Sequence, residues 1–364
     1  MQGKGGRLAF AGPQAQDGSL VEETRLPQCC RTSRRGRASR RLLGLVCAAG
    51  VVSAIAPVAG KGAAPTAPAG GRPASAALGS LETLRGASGK LKAAFRTPGE
   101  PLIQQPPPGL TARYETDQGT AVASPEFEAP QRPGVYRIAV EVDEARKDIE
   151  DLRVITLVPF AVKKGGQIGS YRLGHWPYER GGAPSAYAIP AGFVEVTAPN
   201  RSLPVSEHFT LGDFLTKDQP GVWPKYLLLD AGLVDKLELI IAELEREGYP
   251  VEHLAIMSGF RTPRYNQVGG ETSGRGKLSR HMYGDATDVF VDNDRDGWTD
   301  DVNRDGRVDI RDAEVVARAA ERAEASHPAL VGGVGIYPAR GGHGPFTHVD
   351  VRGRRARWRG TGSG

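Results

Sequence analysis

The chain has 364 residues, with 47 Lys and Arg against 42 Asp and Glu, a net charge of +5, and 3 Cys. This length suits about two domains of roughly 150 residues each. Nine basic and three acidic residues lie in the first 41 positions, a net charge of +6, so the rest of the chain carries −1. That balance excludes a nucleic-acid-binding body. All three Cys precede residue 50, which excludes a disulfide framework and a Cys-ligated zinc site in the folded part.

Residues 1–60 are interpreted as a basic leader with an export signal. The run 42–56 is uncharged and apolar, has about the length of a signal core, and is short and rich in Ala and Gly for a membrane span. Ser39-Arg40-Arg41-Leu42-Leu43 resembles a twin-arginine export signal. We therefore expect export to the periplasm or cell envelope, with the twin-arginine route as one option. Membrane anchoring through an uncleaved apolar segment and a buried apolar helix are the alternatives.

Residues 61–111 are rich in Ala, Pro, Gly and Ser and are expected to form a disordered or semi-extended linker. Residues 112–199 change to short β-type runs broken by Pro and Gly, for example 134–142, 152–158 and 192–197. Alternation of this kind predicts a small antiparallel sandwich or barrel. It carries no catalytic constellation, and His175 beside Trp176 is interpreted as packed or solvated.

Mixed α and β signals begin at residue 200. The segment 227–247 has apolar residues at helical spacing and stops at Gly248, and a predicted strand follows at 251–257. This order places Arg261 on a turn after a strand, where its side chain can point into a cleft. A further helix is predicted over 311–325, and the basic residues 352–359 are interpreted as a solvated tail.

The segment 279–291 is the most informative part of the chain. His281 and Asp288 are seven residues apart, which on a straight helix would be about 10.5 Å of rise, too far for both to reach one ion. The chain must therefore turn, and Gly284-Asp285 supplies the turn before a predicted strand at 286–291. A third ligand is available in His348, which shares one face of a second strand with Asp350. Two His and one carboxylate leave a position open for water, as in catalytic zinc sites. Taken alone, His281 is better interpreted as a polar surface histidine.

Four separated motifs then resemble one family. They are Ser258-Gly259-Phe260-Arg261-Thr262-Pro263, Ser279-x-His281-x-x-Gly284-x-Ala286-x-Asp288, Gly333-Val334-Gly335-x-Tyr337-Pro338 and Phe346-x-His348-x-Asp350. In this order they closely resemble the zinc D-alanyl-D-alanine metallopeptidases, which include murein endopeptidases and D-Ala-D-Ala carboxypeptidases and share a fold with lysostaphin-type and hedgehog domains. The resemblance covers roughly residues 200–360. It implies hydrolysis of peptidoglycan peptides, with zinc on His281, Asp288 and His348, and with Arg261 holding the substrate carbonyl or its oxyanion.

One position departs from the family pattern. Several members carry an acidic general base three residues before the last His ligand, where this chain has Pro345. Asp350 is expected to serve either as the base or as a partner that orients His348. His343 and Asp285 are further candidates for the base. A domain that binds metal but has little activity stays open.

An acidic insertion, residues 292–312, follows the first two zinc ligands. Counting from Asp301, oxygen side chains occupy positions 1, 3, 5, 9 and 12, with glycine at position 6, which is the spacing of calcium loops and of dockerin-type repeats. A second series starts at Asp292. The predicted calcium ligands are Asp301, Asn303, Asp305, Arg307 through its carbonyl, Asp309 and Asp312, with Asp292, Asp294, Asp296 and Asp300 in the second series. A plain acidic surface loop is the alternative.

Together these observations predict an α+β protein. Its C-terminal zinc-peptidase domain, 200–364, is expected to have a central antiparallel sheet and flanking helices, after a small all-β domain and a disordered N-terminus. The expected function is that of an exported zinc metallopeptidase acting on peptidoglycan stem peptides or cross-links. The alternative is a non-catalytic envelope module that binds peptidoglycan and calcium. The sequence does not decide between D,D and L,D bonds, or between endopeptidase and carboxypeptidase action.

Overall fold

The computed structural model describes residues 79, 81–106, 111–116, 119–124, 127–142, 145–269 and 275–360. The leader, the export signal and the first part of the predicted linker, residues 61–78, lie outside these residues. The described residues combine several sheets with few helices, which agrees with the predicted α+β class. None of the helices in these ranges is long and apolar enough to cross a membrane.

The first half of the described chain is dominated by strands. Their bounds are β1 Ala93–Arg96, β2 Thr111–Thr116, β3 Ala121–Ser124, β4 Gly134–Val142, β5 Ala145–Thr156, β6 Val158–Pro159, β7 Gln167–Ile168, β8 Tyr171–Arg172 and β9 Gly192–Val196. Five of them form one sheet in the order β1-β5-β4-β2-β3, in which only the β1–β5 pair is parallel. The remaining four belong to the β7–β8 hairpin and to a three-stranded sheet in which β9 lies between β6 and a further strand, β10 (Lys225–Leu227).

The second half alternates strands and helices. Its elements are β10 Lys225–Leu227, α1 Ala231–Arg246, β11 Leu254–Ser258, α2 Pro263–Val268, β12 Ala286–Val291, α3 Ile310–Ser326, β13 Gly333–Tyr337, β14 Phe346–Asp350 and β15 Ala356–Arg359. Five strands form what we call the site sheet, in the order β11-β12-β14-β13-β15. It is antiparallel as predicted except at its edge, where β13 and β15 run parallel.

Helices α1 and α3 pack together, and α3 lies against strands β12, β13 and β14 on one face of the site sheet. The apolar stripe of α1 is fully buried, and Asp230 caps its first turn by accepting from the Gly232 amide at 2.7 Å. In α3 the buried positions are mostly Ala and Val, and Asp309 caps its first turn. Thr347 of β14 donates to the Ala313 carbonyl of α3 at 2.7 Å, which fixes this helix against the sheet. The opposite face of the sheet is left for a site.

The predicted linker differs from the structure in its C-terminal part. Strand β1 lies within it and pairs with β5, and Leu91, Ala93 and Leu102 are buried. These side chains remove apolar area from water, which offsets the entropy cost of ordering the segment.

The predicted boundary between residues 199 and 200 does not coincide with a gap in packing. One hydrophobic core runs from Leu91 through Phe193 and Phe214 to Val349. A second core lies against one face of the five-stranded sheet and includes Leu152 and Val154 of β5. Their neighbour Ile155 belongs to the larger core. Because successive side chains of a strand point to opposite faces, β5 contributes to both cores and joins them.

Candidate metal centre

A single row of residues crosses the site sheet and defines its open face. Ser258, Asp288, His348, Gly335 and Trp358 lie directly opposite one another on β11, β12, β14, β13 and β15. Residues paired across neighbouring strands share a face of the sheet. The register alone therefore brings Asp288 and His348 side by side, although they are 60 positions apart in the chain.

His281 reaches the same face from a short 3₁₀ helix, Arg280–Tyr283, that leads into β12. The turn after it needs Gly284, which has φ of 74°, and an added Cβ there would lie 2.4 Å from the Leu228 carbonyl carbon. The predicted turn and the strand at 286–291 are thus confirmed. His281 is 3% exposed, which excludes its interpretation as a surface residue.

The three predicted ligands meet at one point. His281 Nε2 lies 3.2 Å from His348 Nδ1 and 3.3 Å from Asp288 Oδ1, and His348 Nδ1 lies 2.9 Å from the same carboxylate oxygen. Donors bound to one tetrahedral ion at about 2.0–2.1 Å are about 3.3 Å apart. All three side chains are buried and could hold a metal ion. Their donor set of two imidazoles and one carboxylate fits such an ion.

The electrostatics of this cluster favour the metal-binding protonation states of His281 and Asp288 but not that of His348. Burial lowers the pKa of His281 to about 4, so its imidazole is neutral near pH 7. Burial acts to raise the pKa of Asp288, but the neighbouring His281 and Arg261 outweigh it and hold that pKa well below its usual range. For His348, burial acts to lower the pKa, and hydrogen bonds to Asp288 and Asp350 raise it overall.

Both imidazoles are held by a second hydrogen bond on the nitrogen that faces away from the cluster. His281 Nδ1 lies 2.8 Å from the Gly259 carbonyl oxygen, and His348 Nε2 lies 3.2 Å from Asp350 Oδ2. Such partners fix the ring orientation and the tautomer of metal-binding His. Asp350 is fully buried, accepts from the Gly333 amide at 2.7 Å, and is paired with Arg352. Of its two predicted roles, this geometry fits the orienting partner.

The other predicted catalytic residues are placed differently. Arg261 donates from Nη2 to Asp288 Oδ2 at 2.6 Å and from Nε to Ser258 Oγ at 2.7 Å, so it holds a ligand as well as lining the cleft. Asp285 is buried against Arg280 and does not line the cleft. His343 does line it, with its ring edge-on to Phe346 at 5.2 Å between centroids.

The cluster opens into a cleft of about 740 Å³. Sequence reasoning gave no role to two of its aromatic residues. The Trp358 ring lies 5.1 Å from the His348 ring, and its Nε1 donates to the Tyr337 hydroxyl oxygen at 2.8 Å. An added Cβ at Gly335 would lie 2.3 Å from the Trp358 ring, so this glycine makes room for the indole. The repeated Gly333-x-Gly335 and the alternation in 356–359 are the sequence signals that could have shown this contact.

The acidic insertion contains two loops with the same internal hydrogen bonds, nine residues apart. In the first, the Asp296 amide donates to Asp292 Oδ1 at 3.0 Å and the Gly297 amide to Asp292 Oδ2 at 3.2 Å. In the second, the Asp305 and Gly306 amides donate to Asp301 in the same way, at 3.1 and 2.8 Å. The arginine at position 4 has a positive φ in both loops. The two predicted calcium series are therefore two copies of one turn.

The two copies of the turn differ in whether their carboxylate oxygens lie close together. In the first, oxygens of Asp292, Asp294 and Asp300 lie within 4.8 Å of one another and could hold a metal ion. In the second, Asp309 caps α3 and is paired with Arg311 at 2.7 Å, and Asp312 accepts from the Asn303 and Asp309 amides. A cluster of the same kind is not formed by Asp301, Asp305, Asp309 and Asp312, all of which are described.

Comparisons of the chain with protein-family models, curated proteins and solved structures found no match.

Proposed function

We propose that this protein is a zinc-dependent peptidase that hydrolyses peptide bonds in peptidoglycan stem peptides or cross-links. The observation that carries the proposal is the triad of donor atoms from His281, Asp288 and His348, spaced at 2.9–3.3 Å and open to a cleft. The four motifs that resemble the zinc D-alanyl-D-alanine metallopeptidases supply the choice of zinc and of substrate. The leader supplies the proposed location in the periplasm or cell envelope.

The residues of the cleft suit amide hydrolysis. A bound zinc ion would polarise the scissile carbonyl and lower the pKa of a water molecule towards 7. Arg261 keeps Asp288 in place and presents a guanidinium to the cleft, where it would stabilise negative charge on the carbonyl oxygen. Tyr337 accepts from Trp358, so its own hydroxyl proton is available for a donor bond to the substrate.

Among the candidates for the proton acceptor, the positions of the side chains relative to the cleft favour His343. It lines the cleft, whereas Asp350 and Asp285 are buried behind it and engaged with Arg352 and Arg280. An imidazole nitrogen can take a proton from water and return it to the leaving amine.

A non-catalytic envelope module is the second candidate. It is favoured by one observation: among the described residues that line the cleft, Asp288 is the only carboxylate, and it belongs to the triad. Such a module would bind peptidoglycan peptides through the same cleft without cutting them, and calcium through the acidic insertion.

The deciding experiment incubates the full chain, loaded with zinc, with sacculi and purified muropeptides. We expect new amine termini from the wild type and none from His281→Ala, because that variant loses one of three ligands. His175→Ala is the matched control, since His175 is 65% exposed and lies outside the cleft. The measurement is chromatography of the muropeptides with labelling of new amines.

Unchanged muropeptide profiles with wild-type protein that still binds sacculi would contradict the peptidase and support the binding module. Equal activity in His281→Ala would contradict the assignment of the metal centre.

A further inference from the structure

The walls of the cleft carry an excess of positive charge. Seven cationic side chains line it, against the single carboxylate of Asp288: Lys217, Arg261, Arg275, Arg280, Arg340, Arg352 and Arg359. A lining of one sign inside a concave, partly desolvated surface attracts ligands of the opposite sign.

Four of these cations are already neutralised by a carboxylate. Arg261 pairs with Asp288, Arg280 with Asp285, Arg352 with Asp350, and Arg359 with Glu314. These arginines belong to the support of the metal centre or of the sheet edge, and they add little net charge to the cleft.

Lys217 and Arg340 have no ion pair or side-chain hydrogen bond with any other described residue, although both line the cleft. Arg275 is different, because its Nη1 donates to the carbonyl oxygens of Tyr265 and Gly269. Lys217 and Arg340 are therefore the two described cations of the cleft whose side chains are free to bind a ligand.

These two side chains lie near opposite ends of the site sheet. Lys217 follows the 3₁₀ helix Leu211–Phe214, whose last residue accepts from the Phe260 amide beyond β11. Arg340 lies in the connection between β13 and β14. Strands β11 and β13 run in opposite directions, so their C-terminal ends lie at opposite ends of the site sheet, and Asp288 and His348 lie between them. A peptide across the metal centre would pass one cation on each side of the bond that is cut.

We infer that the cleft selects an anionic peptide, with Lys217 and Arg340 binding carboxylate groups on opposite sides of the scissile bond. This rests on the proposed peptidase function and adds its specificity. Lysine and arginine form charge-assisted hydrogen bonds with carboxylates, and no cleft carboxylate competes for either side chain.

The test uses three synthetic muropeptides with the same sequence: all carboxylates free, those on the amino side of the bond amidated, and those on the carboxyl side amidated. For the wild type we expect kcat/KM to fall about tenfold with each amidation, mainly through KM. Lys217→Met and Arg340→Met should each lose discrimination at one side only and keep it at the other. The exposed residues Lys164 and Arg201, outside the cleft, provide the controls Lys164→Met and Arg201→Met.

Equal kcat/KM for the free and amidated peptides would overturn this inference and leave the peptidase in place. Hydrolysis of none of the three would contradict the peptidase instead. In that case, calorimetry measures the affinity of the zinc-loaded protein for the same peptides and tests the inference without hydrolysis. An affinity about tenfold lower after amidation supports the inference, and equal affinities overturn it.

Discussion

The candidate metal ligand His348 is held in position by the residues packed around its ring. Asp350 connects His348 to the Gly333 amide and to Arg352, and the Arg352 guanidinium lies 5.5 Å above the Trp358 ring. The indole in turn packs on His348. These contacts surround one imidazole on several sides and hold its Nδ1 towards the cluster.

Asp350→Asn should therefore weaken metal binding. An amide cannot carry the charge that pairs with Arg352 and strengthens the His348 donor, and the loss of such an outer partner typically costs about 10–100-fold in metal affinity. Competition with a chromogenic chelator measures the affinity, and activity should return in part when metal is in excess.

His343→Gln is the matched comparison, because His343 lines the cleft and has no described contact with a ligand. Unchanged metal affinity with a kcat lower by about 10²–10⁴-fold would mark it as the proton acceptor. If Asp350→Asn showed that pattern instead, the orienting role of Asp350 would be wrong.

At this scale the sequence predicted the three ligands and the turn that joins two of them. It left open the role of Asp350 and missed Trp358. The spacing of His348 and Asp350 shows that they share a face, but only the fold shows that Arg352 and Gly333 occupy the oxygens of Asp350. The contact of Trp358 depends on the parallel pairing of β15 with β13, which no local pattern specifies.

Helices α1 and α3 are joined below the site sheet by a buried ion pair. Lys236 of α1 donates to Glu324 of α3 at 2.6 Å and to the Asp350 carbonyl oxygen of β14 at 2.8 Å. Glu324 also accepts from the Gly332 amide and pairs with Arg357 of β15. One lysine thus connects both helices to the strand that carries His348.

Lys236→Met should destabilise the protein by about 3 kcal/mol, the lower end for breaking a buried pair, because Arg357 remains as a partner for Glu324. Urea unfolding followed by circular dichroism measures it. The control on the same helix is Arg246→Met, since Arg246 is 61% exposed and its pair with Glu243 is screened by water. Equal loss of stability in both variants would contradict the importance of the buried pair.

The two copies of the acidic turn lead to a prediction about calcium. Added calcium should raise the melting temperature of the zinc-loaded protein, with a stabilisation of about 2.7 kcal/mol at 100 times the Kd. Magnesium at the same concentration is the control, because its strict octahedral geometry suits such loops poorly. Asp292→Asn should reduce the effect more than Asp301→Asn, since only the first copy gathers three carboxylates.

A melting temperature that calcium leaves unchanged, and that EGTA leaves unchanged with zinc in excess, would favour the plain acidic loop. A larger loss in Asp301→Asn would show that the second copy is the main site.

Long elements with clear periodicity were predictable. The predicted helices at 227–247 and 311–325 correspond to α1 and α3, and the strand at 134–142 corresponds to β4. Strand β1 was missed because four residues in a Pro-rich segment have no pattern of their own, and their burial depends on β5, about 60 positions later. The predicted basic tail is also wrong: β15 lies in the sheet, and Arg355, Arg357 and Arg359 pair with acidic residues of α3.

The whole molecule is organised by packing that crosses the predicted domain boundary. The described residues form one compact unit, and β5 supplies side chains to both of its hydrophobic cores. A fragment that begins at residue 112 would lose β1 and expose the parallel edge of β5. We therefore expect that a fragment able to fold must begin before β1, and not at the predicted domain boundary at residue 112.

The row that crosses the site sheet also sets the order in which the metal centre can form. Two of the candidate ligands, Asp288 and His348, lie 60 positions apart in that row, so the binding geometry exists only after β12 and β14 have found their register. Contacts of such long sequence separation form slowly, because the intervening loops must close first. We therefore expect metal capture to follow the pairing of β12 with β14, so that a captured ion would report that this pairing has formed.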